Sequence, residues 1–437
     1  MRIRKAIGWW LGVAMLAPAA LAAAQPAEHL GAASCASALC HAAATPYADA
    51  GIRQNEYLIW HRNDRHAGAW RTLESPESQR IAARLGDAEA TERDDCLACH
   101  AAPVADRRTG PKFRIEDGID CESCHGPAGN WIETHTVGYR DIESRRADGL
   151  YPTWDADTRA GLCLGCHLGE PGREITHRIM AAGHPPLRFE LDTYTTWMPP
   201  HFRRDRAEAI GKPAHAPVGD WLRGQLQAAR ATLDRLERQL DAPGWLPELS
   251  LLDCHACHHD MDTARWQPRR SPALPVGHPR LADHPLVMLQ LWLDVTGSDR
   301  AGHWRRARMA LDRGYHAGPA ELRGALPALR AEIDRLAQAT PSDRSPRELA
   351  LATLRRADTE LAGDFALAEQ LAMLSAVLVQ EMRARDVPFR EPEAIAALDR
   401  LYALVDDSLG FDATGWRRAL WSLIRALEPA SGHSGDG

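Results

Sequence analysis

The sequence predicts a mainly α-helical protein in two parts, and three observations lead to this prediction. All ten cysteines lie within residues 25–290, and a histidine follows each pair of them. The same range is rich in proline, glycine and charged residues and contains only short helical patterns. From about residue 285 onward, long amphipathic patterns with helical spacing follow one another without a cysteine. The first part therefore lacks an ordinary apolar core, whereas the second part carries enough apolar residues for a helical bundle.

The N-terminus has the features of a secretory signal peptide. Residues 1–5 are basic in character, and an apolar run interrupted by glycine and proline extends from them to Ala23. Small residues precede Gln25 and form a cleavage site, so residues 1–24 are predicted to be removed on export. No later stretch is expected to span a bilayer. We therefore expect a periplasmic or otherwise exported protein that is not integral to the membrane.

The organising motif of the first part is C-x-x-C-H, which occurs four times. Its members are Cys96 and Cys99 with His100, Cys121 and Cys124 with His125, Cys163 and Cys166 with His167, and Cys254 and Cys257 with His258. This pattern attaches a c-type haem, because the two thiols add to the porphyrin vinyl groups and the histidine binds the iron as its proximal ligand. One such motif is compatible with chance or half a zinc site. Four in one chain predict a multihaem cytochrome c.

The remaining two cysteines form a related motif with a longer spacing. Cys35 and Cys40 are separated by four residues, and His41 follows directly. A bulged loop would let both thiols reach the vinyl groups, and the histidine stands where a proximal ligand is required. The alternative is a small disulfide between the two cysteines, which an oxidising compartment permits. We favour a fifth haem c, held by Cys35 and Cys40 with His41 as its proximal ligand.

The second axial ligand decides the chemistry of each haem. An iron with two protein ligands carries electrons, whereas an iron with an open position can bind and transform a small molecule. Histidines between the motifs are the candidate distal ligands, namely His66, His135, His184, His177 and His61. On one helix, His61 and His66 would face different sides, so that one could bind iron while the other faces solvent. Less weight falls on His201, His215, His255, His259, His278 and His284.

Together these segments resemble the exported multihaem cytochromes c related to cytochrome c-554. The resemblance rests on Gly118 to Ala128 with His135, on Ile175 to Pro185, on Asp253 to Met261, and on Trp60 to Ala67. It covers about residues 30–290 and implies closely packed haems, mostly with two histidine ligands, that pass electrons between partners. It also implies that His66, His135 and His184 are distal ligands. The fifth motif and the long C-terminal helical region depart from the family's pattern.

The charge of the chain excludes one class of partner. Removal of residues 1–24 would remove three basic residues and no acid, which takes the formal net charge from -7 to -10. Nucleic acid binding requires a basic surface, so a nucleic-acid partner is not expected. The expected partners are other redox proteins that act as electron donor and acceptor. An oligomer is compatible with the sequence.

Helical patterns define the second part and one helix before it. A helix that opens near Asp220 is expected to pack as a brace beside the haems. Ser345 to Glu348 form a capping box at the start of another helix. Apolar faces are predicted for Leu367, Leu371, Leu374, Leu378 and Met382, for Ile395, Leu398, Tyr402, Val405 and Leu409, and for Trp416, Leu420, Leu423 and Leu427. We expect residues 291–430 to form a C-terminal α-helical bundle, with partner docking as an alternative use of these faces, and 431–437 a disordered tail.

These observations predict a loop-rich, haem-packed cytochrome c domain at residues 25–290 that transfers electrons through five haems. The alternative function is a multihaem reductase or oxidase of small nitrogen or sulfur compounds, with one open haem iron. Against it, no motif ends in the lysine that marks the catalytic haem of pentahaem nitrite reductases. An assembly of such units into a conducting filament is a third alternative, for which the sequence carries no signature. No catalytic residue is predicted, and an electron carrier is favoured over an enzyme.

Overall fold

The architecture was analysed in a computed structural model. It describes residues 27–47, 52–86, 88–104, 108–137, 141–202, 212–241, 248–258, 274, 278–339, 342–361, 363–408 and 410–429. The predicted signal peptide, the predicted tail and His259 lie outside these residues.

The described residues form helices and turns and contain no β-strand, which confirms the predicted mainly α fold. Two isolated backbone bridges join His29 to Thr109 and Leu252 to Leu281. The first part of the chain consists of short helices joined by irregular segments. These helices are α1 (Glu56–Asn63), α2 (Ala69–Thr72), α3 (Pro76–Leu85), α4 (Asp94–His100), α5 (Cys121–His125), α6 (Ile142–Ala147), α7 (Ala156–Leu164), α8 (His177–Ala181) and α9 (Leu191–Trp197).

Longer helices begin at residue 217, inside the predicted cytochrome c domain of residues 25–290. They are α10 (Pro217–Asp241), α11 (His284–Thr296), α12 (Ala301–Ala317), α13 (Pro319–Ala337), α14 (Pro346–Glu360), α15 (Phe365–Ala384), α16 (Glu391–Leu404) and α17 (Ala413–Leu427). From here on, the second part means helices α10 to α17. The predicted capping box is present at α14, where Ser345 and Glu348 each accept a hydrogen bond from the other's backbone N–H. Proline lies in the first turn of α11, α13, α14 and α16. It favours the start of a helix there, because the N–H groups of the first turn have no acceptor within the helix.

One continuous apolar core holds the second part together, and it includes residues of α10 to α17. Trp221, Trp304 and Trp416 are fully buried in it. The predicted apolar faces of α15 and α17 are buried as expected. Burial of each such side chain contributes about 1.5–3 kcal/mol. The bundle therefore has the core that the first part lacks, where the buried clusters hold only a few residues each.

The predicted face of α16 is partly wrong. Ile395 is 41% exposed, whereas Leu401 is fully buried. Ala394 is also buried, and it lies seven residues, or two helical turns, before Leu401. The buried face of α16 therefore contains Ala394 and Leu401, and Ile395 points towards solvent. Leu409 lies outside the described residues.

Helix α10 connects the two parts. It begins at Pro217, three residues before the cap predicted at Asp220. Asp220 therefore lies inside the helix, where its carboxylate forms an ion pair with Arg159 of α7 at 2.6 Å. One side of α10 packs against α7 and α9, and the other joins the bundle core. At Gly224 a Cβ would lie 2.6 Å from Leu191 Cβ, so the close approach of α9 requires glycine. The helix is thus a brace, and its apolar face belongs to the bundle.

Helix α15 is long and apolar enough to cross a membrane by length and composition, contrary to the expectation of no such stretch. However, 78% of its most apolar window is buried within the protein. Helices α10, α11, α14 and α16 surround it. This burial is typical of the central helix of a bundle.

Candidate metal centres

The helix α5 illustrates how the sequence shapes one cysteine motif. Asp120 caps it, because its side chain accepts a hydrogen bond from Ser123 N while Ser123 Oγ accepts one from Asp120 N. Gly126 ends the helix with a φ of 85°, and a Cβ there would lie 2.5 Å from the carbonyl oxygen of Gly149. Such a conformation favours glycine. A single tight turn therefore carries both thiols and the histidine of the motif.

Ten histidines come together as five ring pairs, and each pair contains one histidine that directly follows a cysteine motif. The ring centroids within a pair are 6.2 to 6.5 Å apart. The pairs are His41 with His135, His100 with His184, His125 with His201, His167 with His66, and His258 with His177. Tertiary structure thus brings every motif histidine to a histidine from another segment of the chain.

The spacing within these pairs is that of two imidazoles on opposite sides of one metal ion. A metal–nitrogen bond of about 2.0 Å and a nitrogen-to-centroid distance of about 1.1 Å place two such centroids about 6.2 Å apart. A linear hydrogen bond between two imidazoles, with nitrogens about 3 Å apart, would place the ring centroids about 5.2 Å apart, which is closer than the observed 6.2 to 6.5 Å. The five pairs therefore have room for an ion between their rings.

Hydrogen bonds at Nδ1 orient five of these rings. Two rings face carboxylates, with His41 Nδ1 2.9 Å from Glu56 Oε2 and His66 Nδ1 2.9 Å from Asp64 Oδ1. The other three face backbone carbonyl oxygens: His100 Nδ1 lies 3.0 Å from Ala69 O, His135 Nδ1 2.7 Å from Ile132 O, and His184 Nδ1 2.8 Å from Pro185 O. Metal-binding histidines commonly donate their second ring N–H in this way. With Nδ1 as the donor, Nε2 of each ring remains available as a ligand.

Histidines outside the pairs use Nε2 differently. His29 Nε2 lies 2.8 Å from Asp120 Oδ2, His215 Nε2 lies 2.6 Å from Asp192 Oδ1, and His255 Nε2 lies 2.8 Å from the carbonyl oxygen of Ser408. In these three residues Nε2 lies within hydrogen-bond distance of a protein oxygen, and among the described residues no ring contact joins them to a motif histidine.

Several paired histidines are held in the neutral form that metal binding requires. Burial lowers the pKa of His125 to about 3 and that of His167 to about 4. Burial also lowers the pKa of His100, His135 and His201. The exception is His41, whose pKa is raised by its hydrogen bond to Glu56.

Four of the five distal candidates chosen from the sequence lie in these pairs, namely His66, His135, His177 and His184. The fifth place is taken by His201, which sequence reasoning gave less weight, and which faces His125. His201 follows two prolines and lies 76 residues after His125. No local pattern connects the two residues.

His61 is not brought to a motif histidine. Its ring contacts are with Tyr57 and Trp60 of its own helix, and its surface is exposed. The expectation that His61 and His66 share a helix is wrong, because α1 ends at Asn63 and Asp64 adopts an extended backbone. Asp64 then caps a short 3₁₀ turn, Arg65–Gly68, which directs His66 towards His167.

None of the ten cysteines, all of which the structure describes, is paired in a disulfide, and this includes Cys35 and Cys40. Thiols of different motifs lie side by side. A hydrogen bond with the Cys35 thiol raises the pKa of Cys121, and one with Cys166 raises the pKa of Cys99. The motifs are therefore packed closely together.

Glu122, inside the third motif, fixes the segment that leads to the first motif. Its carboxylate is almost completely buried and accepts hydrogen bonds from the backbone N–H groups of Leu30 (2.9 Å), Gly31 (2.6 Å) and Ala128 (2.6 Å). A buried carboxylate with three donors is well satisfied. This contact, together with the bond between His29 and Asp120, positions residues 29–31 directly before Cys35.

A cavity of about 170 Å³ lies beside the motif of Cys254 and His258. The C-terminal bundle contributes Phe365 and Glu369 to its wall. Arg188 also lines it and forms an ion pair with Glu369 at 2.8 Å. The bundle therefore completes the surroundings of the motif of Cys254 and Cys257.

Residues 34–126 match the family model described as cytochrome c554 and c-prime. This segment, about a fifth of the chain, is similar to the cytochrome c554 family. The match contains three of the five cysteine motifs and confirms the resemblance predicted from the sequence. No curated protein and no solved structure is significantly similar to the chain.

The family relationship indicates haem c as the cofactor, electron transfer as the role and other redox proteins as partners. The matched range ends at Gly126, so the ligands and motifs beyond it depend on the geometry described above.

Proposed function

We propose that the chain is an exported pentahaem cytochrome c in which two histidines ligate each iron, and that it transfers electrons between redox proteins. The observation that carries this proposal is the set of five histidine pairs, each with one motif histidine and a spacing of 6.2 to 6.5 Å. When bound, the haem irons supply reversible one-electron chemistry. All other roles belong to residues of the chain.

In this proposal the motif histidines are proximal ligands and their partners are distal ligands. The distal ligand is His135 for the iron of His41, His184 for that of His100, His201 for that of His125, His66 for that of His167, and His177 for that of His258. Neutral imidazole on both sides closes each iron to small molecules. Five closed sites favour an electron carrier over a reductase or oxidase.

Unsatisfied polar groups in the first part also fit bound haems. Trp70 Nε1, Trp131 Nε1 and Arg145 Nε are buried without hydrogen-bond partners among the described residues. Arg235 of α10 lines the cavity beside Cys254, and burial lowers its pKa. Its guanidinium donates a weak hydrogen bond to Ser250 Oγ at 3.3 Å. Buried donors normally have partners, so groups of this kind are suited to haem propionates.

The motif of Cys35 and Cys40 supports a haem in preference to a disulfide. His41 pairs with His135 at the same separation as the other four pairs, and a disulfide would not require that partner. Glu56 also orients the ring of His41 as a second-shell group orients a ligand.

The mass of the intact purified holoprotein tests the number of haems. We expect the mature polypeptide plus five haems, and a mass increase equal to four haems would exclude the Cys35–Cys40 site.

Carbon monoxide added to the reduced protein tests whether each iron is closed to small molecules. We expect an unchanged optical spectrum, and a bound carbonyl species in the wild-type protein would support an enzyme with an open iron.

A further inference from the structure

We propose that Glu56 and Asp64 are positioning residues that make the haems at Cys35/Cys40 and Cys163/Cys166 the two lowest-potential haems of the chain. The inference rests on the proposed function, because it concerns irons held by the histidine pairs. It assigns a role to two carboxylates that lie outside every cysteine motif.

Glu56 is held firmly against the ligand His41. One carboxylate oxygen lies 2.9 Å from His41 Nδ1, and the other accepts hydrogen bonds from the backbone N–H groups of Arg53 (2.9 Å) and Gln54 (3.1 Å). The side chain is 16% exposed. Its negative charge is therefore fixed in place and only weakly screened by water.

Asp64 holds the ligand His66 in a similar way. Its Oδ1 atom accepts hydrogen bonds from both the backbone N–H and Nδ1 of His66, each at 2.9 Å. The Asp64 side chain is 6% exposed. Because His66 pairs with His167, this carboxylate acts on the haem of Cys163 and Cys166.

Other paired histidines donate to neutral acceptors. His100, His135 and His184 bond to backbone carbonyl oxygens. Among the carboxylates and histidines that the structure describes, the paired histidines within ion-pair distance of a carboxylate are His41 and His66. A hydrogen bond to a charged acceptor is roughly twice as strong as one to a neutral acceptor.

The carboxylate changes the reduction potential through the imidazole. A ring that donates Nδ1–H to a carboxylate is a more basic ligand, which stabilises ferric iron more than ferrous iron. The fixed negative charge also favours the ferric state, because that state carries the extra positive charge. Both effects lower the potential, so these two haems should be the last of the five to be reduced.

The test is a potentiometric titration of the holoprotein and two charge-removing variants. In Glu56→Gln the amide no longer offers His41 a charged acceptor, and we expect one of the five redox components to become about tenfold easier to reduce, a rise of about 59 mV. In Asp64→Asn the charge is removed in the same way, because an amide oxygen can still accept from the imidazole in both variants, and we expect a rise of similar size in a different component. Both affected components should be the lowest two in the wild-type protein.

Glu77→Gln is the matched control. Glu77 lies in the first turn of α3, as Glu56 lies in the first turn of α1, and its replacement removes the same charge. It is exposed, and among the described residues it forms no hydrogen bond or ion pair with a paired histidine. We expect no component to shift. Unchanged potentials in both test variants, or an equal shift in the control, would overturn the proposal.

The mass and the low-spin signals of each variant separate this inference from the proposed function. A wild-type protein without five low-spin haems would contradict the proposed function, whereas normal haems with unmoved potentials would contradict the role of the carboxylates alone. If Glu56→Gln loses its haem, Asp64→Asn decides the question, because it removes the second carboxylate and acts on a different haem.

Discussion

The two parts of this protein are stabilised in different ways. In the bundle, α10 to α17 bury a continuous apolar core that includes three fully buried tryptophans. In the first part, the buried apolar clusters are small, and histidine pairs, capped turns and buried carboxylates define the structure. The comparison suggests that the first part depends on its cofactors for stability, whereas the bundle folds around its own side chains.

The strongest test of this difference is loss of the haems. In a protein made without haem attachment, we expect residues 27–202 to become sensitive to protease while α10 to α17 remain helical and protected, because ligand binding to the folded state contributes its free energy to folding. Limited proteolysis with mass spectrometry of the fragments measures this. A first part that resists protease without haem would contradict the difference.

A change in the bundle core should give the opposite result. Trp416→Ala removes a completely buried side chain of α17, and we expect the bundle to lose about 3–5 kcal/mol of unfolding free energy. The measurement is urea unfolding monitored by circular dichroism. Trp421→Ala is the control, since Trp421 lies in the same helix but is 39% exposed and its loss should cost less than about 1 kcal/mol. Equal losses in the two variants would argue against the bundle core described here.

Removal of one distal ligand should change one haem and leave the bundle intact. We expect His201→Ala to open the iron bound by His125, so that one of five haems becomes high-spin and binds carbon monoxide. The control is His61→Ala, because His61 contacts Tyr57 and Trp60 and no motif histidine. Optical and electron paramagnetic resonance spectra distinguish the two variants. A ligand change in His61→Ala would reverse the assignment.

The smallest effect concerns the boundary between the two parts. Burial raises the pKa of Glu190, at the start of α9, to about 7 from 4.5, although its bonds to backbone N–H groups favour the charged form. The folded state then binds a proton that the unfolded state releases. Stability from this group is present below pH 4.5 and is lost as the pH rises through about 7.

The Glu190→Gln variant measures this contribution. Wild-type protein should lose unfolding free energy between pH 4.5 and 7 relative to the variant, which has no proton to release at this position. Unfolding curves at several pH values provide the comparison. Parallel pH dependence in the two proteins would show that Glu190 does not titrate as described.

Features carried by adjacent residues could be predicted from the sequence. The cysteine motifs and their histidines are local, as is the capping box at Ser345, and helical periodicity identified the faces of α15 and α17. The partner of His125 could not be predicted in this way, because His201 reaches it only through the tertiary fold. The choice between His61 and His66 depended on one backbone angle at Asp64, which ends α1 and redirects the chain.

Electron paramagnetic resonance of the oxidised holoprotein tests the central claim of five irons with two histidine ligands each. We expect low-spin ferric signals alone, unchanged by cyanide. We also expect two classes, because ring planes within three pairs are nearly perpendicular (83–90°), whereas those within the His41–His135 and His177–His258 pairs are closer to parallel (19° and 29°). The perpendicular class should be the more anisotropic. A high-spin ferric signal that shifts with cyanide would reveal an open iron and contradict the account.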